Sequence, residues 1–295
     1  MAGGRVFCIG NGKSRTDYNL EKLRGHGKIY GCNAIYRDFL PDVICGVDHG
    51  IMHEIYHAGI AEKIPTYLRD WTRVPEAHFE MMFWAGLNTM DREKIKENYD
   101  NHVENEKGDR KEFVLHGMNM AGQINIIRRY ENKPEAWRQF KKEIDHANIY
   151  VSWVHDGDKA VSLKDFYEEC GERKDRGWAC GATSGKVALV KEQPEEIYLI
   201  GHDMVSNNNQ VNNVYAGTKH YVAKENTPTP HTNWEQQWCN LIKEFPNVKF
   251  YKVNPNADRG PDNVSQPVEL WSRFVGKNVF YLDYSQLKAN LGLTN

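Results

Sequence analysis

The stretch Arg5-Val6-Phe7-Cys8-Ile9-Gly10-Asn11-Gly12 decides the fold class. A continuous apolar run ends there in a glycine-rich turn, and such runs are typical of parallel strands that are covered on both faces. Similar runs follow at 28–32, 42–47, 197–200 and 248–253. The pattern predicts an α/β fold with a Rossmann-like parallel sheet, helices on both faces and a lid-like insertion.

Residues 1–295 are predicted to form one domain, with irregular sequence in two places. Residues 75–112 mix aromatic residues, glycines and a charged run, which is typical of an insertion or lid. Residues 204–230 are rich in Asn, Thr and Pro, and a polar loop of this length inside a compact domain is usually functional. Helical patterns are predicted at 18–23, 120–130, 134–146, 163–170, 186–192 and 232–245.

The composition excludes some classes of protein. The chain has 38 Lys and Arg against 40 Asp and Glu, so its formal net charge of −2 argues against a protein that coats nucleic acid. No apolar run reaches ~18 residues, and no secretory leader is recognisable, so we expect a cytoplasmic protein. The six cysteines form no C-x-x-C pair, which favours reduced, buried thiols over disulfides or zinc.

The turn after the first strand is the first candidate site. In Gly10-Asn11-Gly12-Lys13-Ser14, backbone N–H groups could approach a phosphate closely. The pattern is neither a Walker A loop nor G-x-G-x-x-G, since residue 15 is Arg. A tight turn at a strand end, without any ligand, explains the same residues equally well.

A second candidate is His53-Glu54-Ile55-Tyr56-His57, which matches H-E-x-x-H, with His49 at the same spacing. In zinc peptidases the two histidines of this motif share one helix face and the Glu acts as general base. Against that interpretation, the motif lies directly behind a strand, Gly59 limits the helix to about two turns, and no third histidine follows. We expect no metal here and keep a zinc peptidase as an alternative.

The third candidate is a constellation in the C-terminal half of the chain. Thr183-Ser184-Gly185 opens a helical run, and the strand 197–200 ends in Gly201-His202-Asp203. The polar loop that follows carries the hydroxyl groups of Tyr215 and Tyr221, and His231 leads the next helix. A lone histidine at a helix start is more often structural, but these neighbouring signals favour a catalytic role.

In this order the motifs resemble those of the family 42 glycosyltransferases, the bacterial sialyltransferases that act on lipooligosaccharide. The matches cover 5–50 and 180–256, and include Cys32-Asn33-x-x-Tyr36. The resemblance implies that His231 is the general base and that Tyr215 steadies the donor phosphate. The residues that it assigns to the donor are Gly10, Asn11, Gly12, Ser14, Asn33, Thr183, Ser184, Gly185, Gly201, Asp203 and Tyr221.

The chain departs from the family at two positions. Lys13 replaces a Pro, and Val205 stands where the first tyrosine of a phosphate-binding pair is found, so Lys219, His220 or Tyr221 would supply that contact. The resemblance implies an inverting transfer from a nucleotide sugar, CMP- or UDP-linked, to an acceptor hydroxyl. No D-x-D motif follows a strand, so we expect a metal-independent enzyme with no other cofactor.

The acceptor is the least defined part of the reaction. The chain also resembles uncharacterised proteins of large tailed phages, where related transferases decorate hydroxymethylated bases, so the lead acceptor is a hydroxymethylated pyrimidine in duplex DNA. The alternative acceptor is a glycan, and the C-terminal stretch 281–290 has no polybasic cluster for docking to a membrane. The residues considered for a DNA-binding face are Arg69, Arg73, Arg128, Arg129, Arg173, Lys174 and Arg176, with Trp71, Trp84 and Trp178 for stacking on a flipped base.

Two other classes stay open at this stage. A pterin pyrophosphokinase-like protein would share the glycine-rich first turn, and would need Mg²⁺ near carboxylates such as Asp48 and Asp203. A structural phage protein with an inactive Rossmann-like core is the third class; Tyr215 and His231 argue against it. Dependence on a metal ion distinguishes the kinase-like class from the transferase.

Overall fold

A computed structural model describes residues 4–76, 78, 111–117, 120–131, 133–144, 149–204, 210–253 and 268–293. The chain divides into two compact units, where the sequence analysis placed one domain. The first unit comprises Met1–Cys45 and Arg176–Asn295, and the second unit comprises Gly46–Asp175. Most of the predicted lid at 75–112 lies outside the described residues, as do residues 205–209 of the predicted loop.

The regular elements are numbered along the chain. The strands are β1 (Arg5–Ile9), β2 (Lys28–Cys32), β3 (Val43–Gly46), β4 (Thr66–Leu68), β5 (Trp71–Pro75), β6 (Glu112–Gly117), β7 (Ile149–Trp153), β8 (Ala160–Ser162), β9 (Glu196–Ile200), β10 (Lys249–Val253) and β11 (Val279–Leu282). The α-helices are α1 (His49–His57), α2 (Ile60–Lys63), α3 (Met120–Tyr130), α4 (Trp137–Ile144), α5 (Leu163–Glu169), α6 (Cys180–Glu192), α7 (Thr232–Glu244) and α8 (Tyr284–Asn290). Short 3₁₀ helices cover Lys13–Arg15, Leu20–Leu23, Asn33–Arg37, Pro134–Ala136 and Glu269–Phe274.

The sheet of the first unit confirms the predicted Rossmann-like α/β fold. Its strands are parallel and run in the order β11-β10-β9-β1-β2-β3. The strand order therefore reverses between β1 and β9, as in doubly wound sheets that bind ligands at the carboxyl ends of the strands beside this reversal. The apolar runs form central strands: Phe7, Cys8 and Ile9 of β1 are fully buried, like Ile197 and Leu199 of β9.

The second unit contains an antiparallel sheet, β5-β6-β7, and a parallel pair, β4 and β8. Helix α1 packs against β6 and β7. Its core is formed by Met52 and Tyr56 of α1 together with Leu68, Trp71 and Val114. The apolar side chains of Phe113, Val114 and Leu115 on β6 are fully buried.

One helix begins earlier than predicted. The sequence analysis predicted a helix at 186–192 that is opened by Thr183-Ser184-Gly185, but α6 begins at Cys180. Two glycines in its first turns allow close packing. A Cβ atom at Gly185 would clash with the ring of Trp238 on α7, and one at Gly181 would lie 2.7 Å from the ring of His202.

Two further observations bear on the sequence-based expectations. All six cysteines are thiols rather than disulfide partners, and five of them are buried. Among the described residues, no helix has both the length and the apolar character needed to cross a membrane.

Candidate functional site

The two turns at the strand-order reversal touch each other through their backbones. The Gly10 amide donates to the carbonyl of Ile200 over 2.7 Å, and the Gly12 amide donates to the carbonyl of Gly201 over 2.9 Å. Gly201 has a φ of +71°, and a Cβ atom at Gly10 would clash with its carbonyl. Glycine is therefore required on both sides for this close approach.

The N–H groups of the first turn already have acceptors within the protein. The Lys13 amide donates to Asn212 Oδ1 over 3.0 Å, and the Ser14 amide donates to Asp203 Oδ2 over 3.0 Å. The Ser14 hydroxyl donates to the same carboxylate, which is 4% exposed. Asp203 thus occupies the position in which a phosphate would accept these hydrogen bonds. The predicted donor residues Ser14 and Asp203 are brought together, but they contact each other.

A cluster centred on the buried side chain of Arg15, with Asp38 and Tyr215, lies beside this turn. Arg15 Nη1 donates to Asp38 Oδ2 over 2.9 Å, and Arg15 Nη2 donates to the Tyr215 hydroxyl over 2.8 Å. That hydroxyl in turn donates to the Asp38 carboxylate. The Arg15 side chain is 5% exposed and that of Asp38 is 48% exposed. Burial raises the pKa of Tyr215, so the phenol stays neutral and remains a hydrogen-bond donor at physiological pH.

Tyr221 and Arg37 attach the polar loop to the carboxyl end of β2. The Tyr221 ring lies 5.6 Å from the Tyr215 ring, and its hydroxyl accepts from the amide of Ala34 over 3.4 Å. The Arg37 guanidinium lies 5.7 Å and 5.8 Å from these two rings. It also donates to Thr218 Oγ1 over 2.8 Å. The two predicted tyrosines therefore share one cluster with two arginines that the sequence analysis did not single out.

The two predicted asparagines lie at the ends of neighbouring strands. Asn11 Nδ2 donates to the carbonyl of Cys32 over 3.0 Å, directly before Asn33. Asn33 has a φ of +52°, a left-handed conformation that asparagine tolerates better than most residues. Asn11 thus joins the turn after β1 to the end of β2, directly before Asn33.

Thr183, Ser184 and Gly185 lie inside the fold. Both hydroxyl side chains are fully buried, with Thr183 Oγ1 donating to the carbonyl of Trp178 over 3.2 Å and Ser184 Oγ to that of Gly31 over 3.5 Å. The structure places these predicted donor-binding residues in helix packing, where both hydroxyl groups donate to backbone carbonyls.

His231 directly precedes α7 with its side chain 42% exposed. Its Nε2 atom lies 3.6 Å from Glu235 Oε1. Burial raises the pKa of Glu235, and burial lowers the pKa of Lys252 to about 8, although the carboxylates of Glu235 and Asp203 act on Lys252 in the opposite direction. Lys252 is 1% exposed, and the carboxylates of Asp203 and Glu235 both favour its charged form.

His202 is a poor alternative base. It is buried, its ring lies 5.0 Å from that of Trp238, and burial lowers its pKa to about 3. A histidine with this pKa is neutral at physiological pH and is shielded from any acceptor.

The H-E-x-x-H motif lies in the second unit, on the nine-residue helix α1. The rings of His53 and His57 are 4.3 Å apart, and Ser152 Oγ lies 3.3 Å from His53 Nδ1 and 3.0 Å from His57 Nε2. His116, which the sequence analysis did not consider, is fully buried 5.8 Å from the His53 ring. Among the described residues, no three His, Cys, Asp or Glu side chains are arranged to hold a metal ion.

The residues considered for a DNA-binding face are largely paired with carboxylates. The pairs are Arg69 with Asp175, Arg73 with Asp158, Arg129 with Glu143, and Arg176 with Glu244. Trp71 is 6% exposed, and Trp84 lies outside the described residues. Four of the seven basic side chains therefore have an anionic partner within the protein.

The first unit thus offers two groups of side chains at the expected edge of the sheet. One surrounds Tyr215 and Arg15, and the other comprises the ion pair of His231 with Glu235 and the buried Lys252, on which the carboxylates of Glu235 and Asp203 act electrostatically. In comparisons with known proteins, no family model, no curated protein and no solved structure matches this chain.

Proposed function

We propose that the protein is an inverting, metal-independent glycosyltransferase that uses a nucleotide-sugar donor. The observation that carries the proposal is the cluster of Arg15, Arg37, Tyr215 and Tyr221 at the carboxyl end of a parallel sheet with doubly wound strand order. Ligands bind at this edge in such sheets. Guanidinium groups and neutral phenols are donors suited to a phosphate that gains negative charge.

The proposed transfer is a direct displacement at the anomeric carbon of the donor sugar. The acceptor oxygen forms a bond to this carbon while the bond to the donor phosphate oxygen breaks on the opposite face. The electron pair leaves with the phosphate, and the acceptor proton moves to His231. An imidazole suits this role because its ordinary pKa lies near ~6.5. The carboxylate of Glu235, 3.6 Å from Nε2, would stabilise the imidazolium that forms.

Arg37, rather than the turn amides, would carry most of the phosphate charge in this proposal, because the Arg15 Nη groups and the Tyr215 hydroxyl already donate to Asp38. Asp203 already accepts from the Ser14 amide and hydroxyl. Arg37 is held by Thr218 at the polar loop, next to the Tyr221 ring. Positive charge on the protein would take the place that a divalent cation has in other transferases.

The test is a donor panel in the presence of a chelator. Purified protein is incubated with CMP-, UDP-, GDP- and ADP-sugars plus EDTA, and released nucleotide is measured with and without acceptors. We expect one donor to be turned over at the same rate with and without EDTA. Turnover that requires added Mg²⁺ would contradict the metal-independent part of the proposal. If none of the donors is turned over with any acceptor, the proposal is wrong.

A hydroxymethylated pyrimidine in DNA is the acceptor to test first, on the basis of the resemblance to phage proteins. Once the four arginines in ion pairs are set aside, three basic residues remain from the group considered for DNA binding: Arg128, Arg173 and Lys174. Three phosphate contacts would lower the affinity for duplex DNA about 40-fold between 50 and 200 mM salt, since each contact contributes a slope of about −0.9. No binding at ~50 mM salt would favour a glycan or a small-molecule acceptor.

A further inference from the structure

A cavity of about 420 Å³ lies in the first unit beside the Arg15 cluster. The rings of Tyr18, Phe39 and Tyr215 line it, together with the charged groups of Arg15 and Asp38. Its volume falls in the range of small-molecule sites, which combine apolar walls with a few fixed polar groups. The three aromatic rings favour a flat ligand.

Two polar atoms at this cavity have no hydrogen-bond partner among the described residues. They are Arg15 Nε and the Tyr18 hydroxyl oxygen. Arg15 is 5% exposed and Tyr18 is 7% exposed. Buried polar atoms are nearly always paired, because an unpaired one has lost its hydration without compensation. A ligand in the cavity would supply an acceptor for the guanidinium N–H and a partner for the phenol.

The Asp38 carboxylate limits what the ligand can donate. A carboxylate has about four lone-pair positions. Three are used, by Arg15 Nη1 at 2.9 Å, by Arg15 Nη2 at 3.3 Å and by the Tyr215 hydroxyl. One position is left, on a side chain that is 48% exposed and lines the cavity. Asp38 can therefore accept one further hydrogen bond.

We infer that this cavity binds the nucleobase of a nucleotide and that it selects against guanine. The base would lie against the aromatic rings, donate one N–H to Asp38 and accept from Arg15 Nε. Cytosine, uracil and adenine each present one N–H donor next to an acceptor on this edge. Guanine can also pair N1–H with Asp38 and O6 with Arg15 Nε, but its exocyclic N–H then points at the same carboxylate, where no acceptor position is left. The inference rests on the proposed function, because the nucleotide would be that of the sugar donor.

The first test measures nucleotide selectivity on the full chain. The dissociation constants of CMP, UMP, AMP and GMP are determined by calorimetry, with thermal shift as a second readout. We expect at least one of CMP, UMP and AMP to bind tenfold or more tightly than GMP, since an unpaired buried donor weakens binding. If GMP binds as tightly as the others, or if no nucleotide binds at millimolar concentration, the inference is wrong.

The second test uses two stacked tyrosines as a matched pair. The rings of Tyr18 and Tyr284 lie 4.6 Å apart, but the Tyr284 hydroxyl donates to the carbonyl of Ser14 over 2.7 Å. Tyr18→Phe should weaken binding of the preferred nucleotide about fivefold and leave the melting temperature unchanged or higher, because the lost hydroxyl has no partner without ligand. Tyr284→Phe should lower the melting temperature and leave the affinity unchanged. Equal nucleotide affinity in Tyr18→Phe and wild type would overturn the inference.

The two proposals fail in different ways. Nucleotide binding that depends on Tyr18, in a protein that transfers no sugar, would overturn the proposed function and leave the cavity assignment in place. Sugar transfer together with equal nucleotide affinity in wild type and Tyr18→Phe would overturn the cavity assignment and leave the proposed function in place.

Discussion

Acid should destabilise the second unit through one buried histidine. His116 on β6 is 0% exposed, and neither of its ring nitrogens has a hydrogen-bond partner in the part of the chain that the structure describes. Its ring lies 5.8 Å from that of His53 and 5.6 Å from that of Tyr56. Burial lowers the pKa of His116 to about 3, and the nearby imidazoles of His57 and His49 lower it further. Protonation of His116 in the folded state is therefore strongly disfavoured.

The sign and size of the effect follow from this difference in pKa. An unfolded histidine binds its proton near pH ~6.5, so below that pH the unfolded state holds more protons than the folded state, and stability falls as the pH decreases towards 3. The contribution is fully present above ~6.5. A pH of 5 lies about 1.5 units below the pKa of the unfolded histidine, and each unit of that difference corresponds to about 1.4 kcal/mol of unfolding free energy. We therefore expect a loss of about 2 kcal/mol between pH 7 and pH 5 from His116.

The assay is urea unfolding at both pH values for wild type and His116→Leu. Leucine is similar in volume and removes both unpaired nitrogens. The loss of unfolding free energy between pH 7 and pH 5 should be about 2 kcal/mol smaller in the variant. His26→Leu, at a half-exposed turn, serves as the control for histidine replacement. Hydrogen exchange over 112–117 assigns the change to the second unit. An equal loss in wild type and His116→Leu would refute the reasoning.

Three further predictions follow from the same structure. His231→Ala should lower transfer by about 10²- to 10⁴-fold and leave nucleotide affinity unchanged, because the base acts on the acceptor; near-normal turnover in a steady-state assay would exclude His231 as the base. In a denaturation assay, Gly185→Ala should lower the unfolding free energy by about 1–3 kcal/mol, because its Cβ would clash with a buried tryptophan ring. The control Gly122→Ala has open space around the new Cβ and should raise the unfolding free energy by up to about 1 kcal/mol. Elemental analysis should find no zinc held by His53 and His57; one tightly bound zinc per chain would restore the peptidase alternative.

The strands were readable from the sequence because their signal is local. Runs such as Phe7–Ile9 and 197–200 are apolar at every position, which is what central strands of a parallel sheet require. The start of α6 was misread for the opposite reason. Gly181 and Gly185 look like turn residues locally, and only contact with His202 and Trp238 shows that they serve helix packing.

The candidate site was predictable where its residues follow strand ends. Asn11 and Asn33 come directly after two apolar runs, so the sequence could bring them together. The Arg15 cluster could not be foreseen, because Arg15 and Tyr215 are 200 positions apart and Arg15 belongs to no recognisable motif. The burial of Lys252 could not be predicted either, since a lysine within a strand is usually exposed. Whether Lys252 is buried depends on how β10 packs.

The carboxylate of Asp203 acts as a permanent internal anion in the turn after β1. Because it is tethered to the same sheet, it competes with free anions at an effective concentration on the order of millimolar or higher. Sulfate or phosphate at low concentration would therefore leave the amide of Ser14 bound to Asp203, and the turn needs no ligand to keep its shape. Any ligand that binds at this edge would find the turn already formed, and little conformational entropy would be lost there on association.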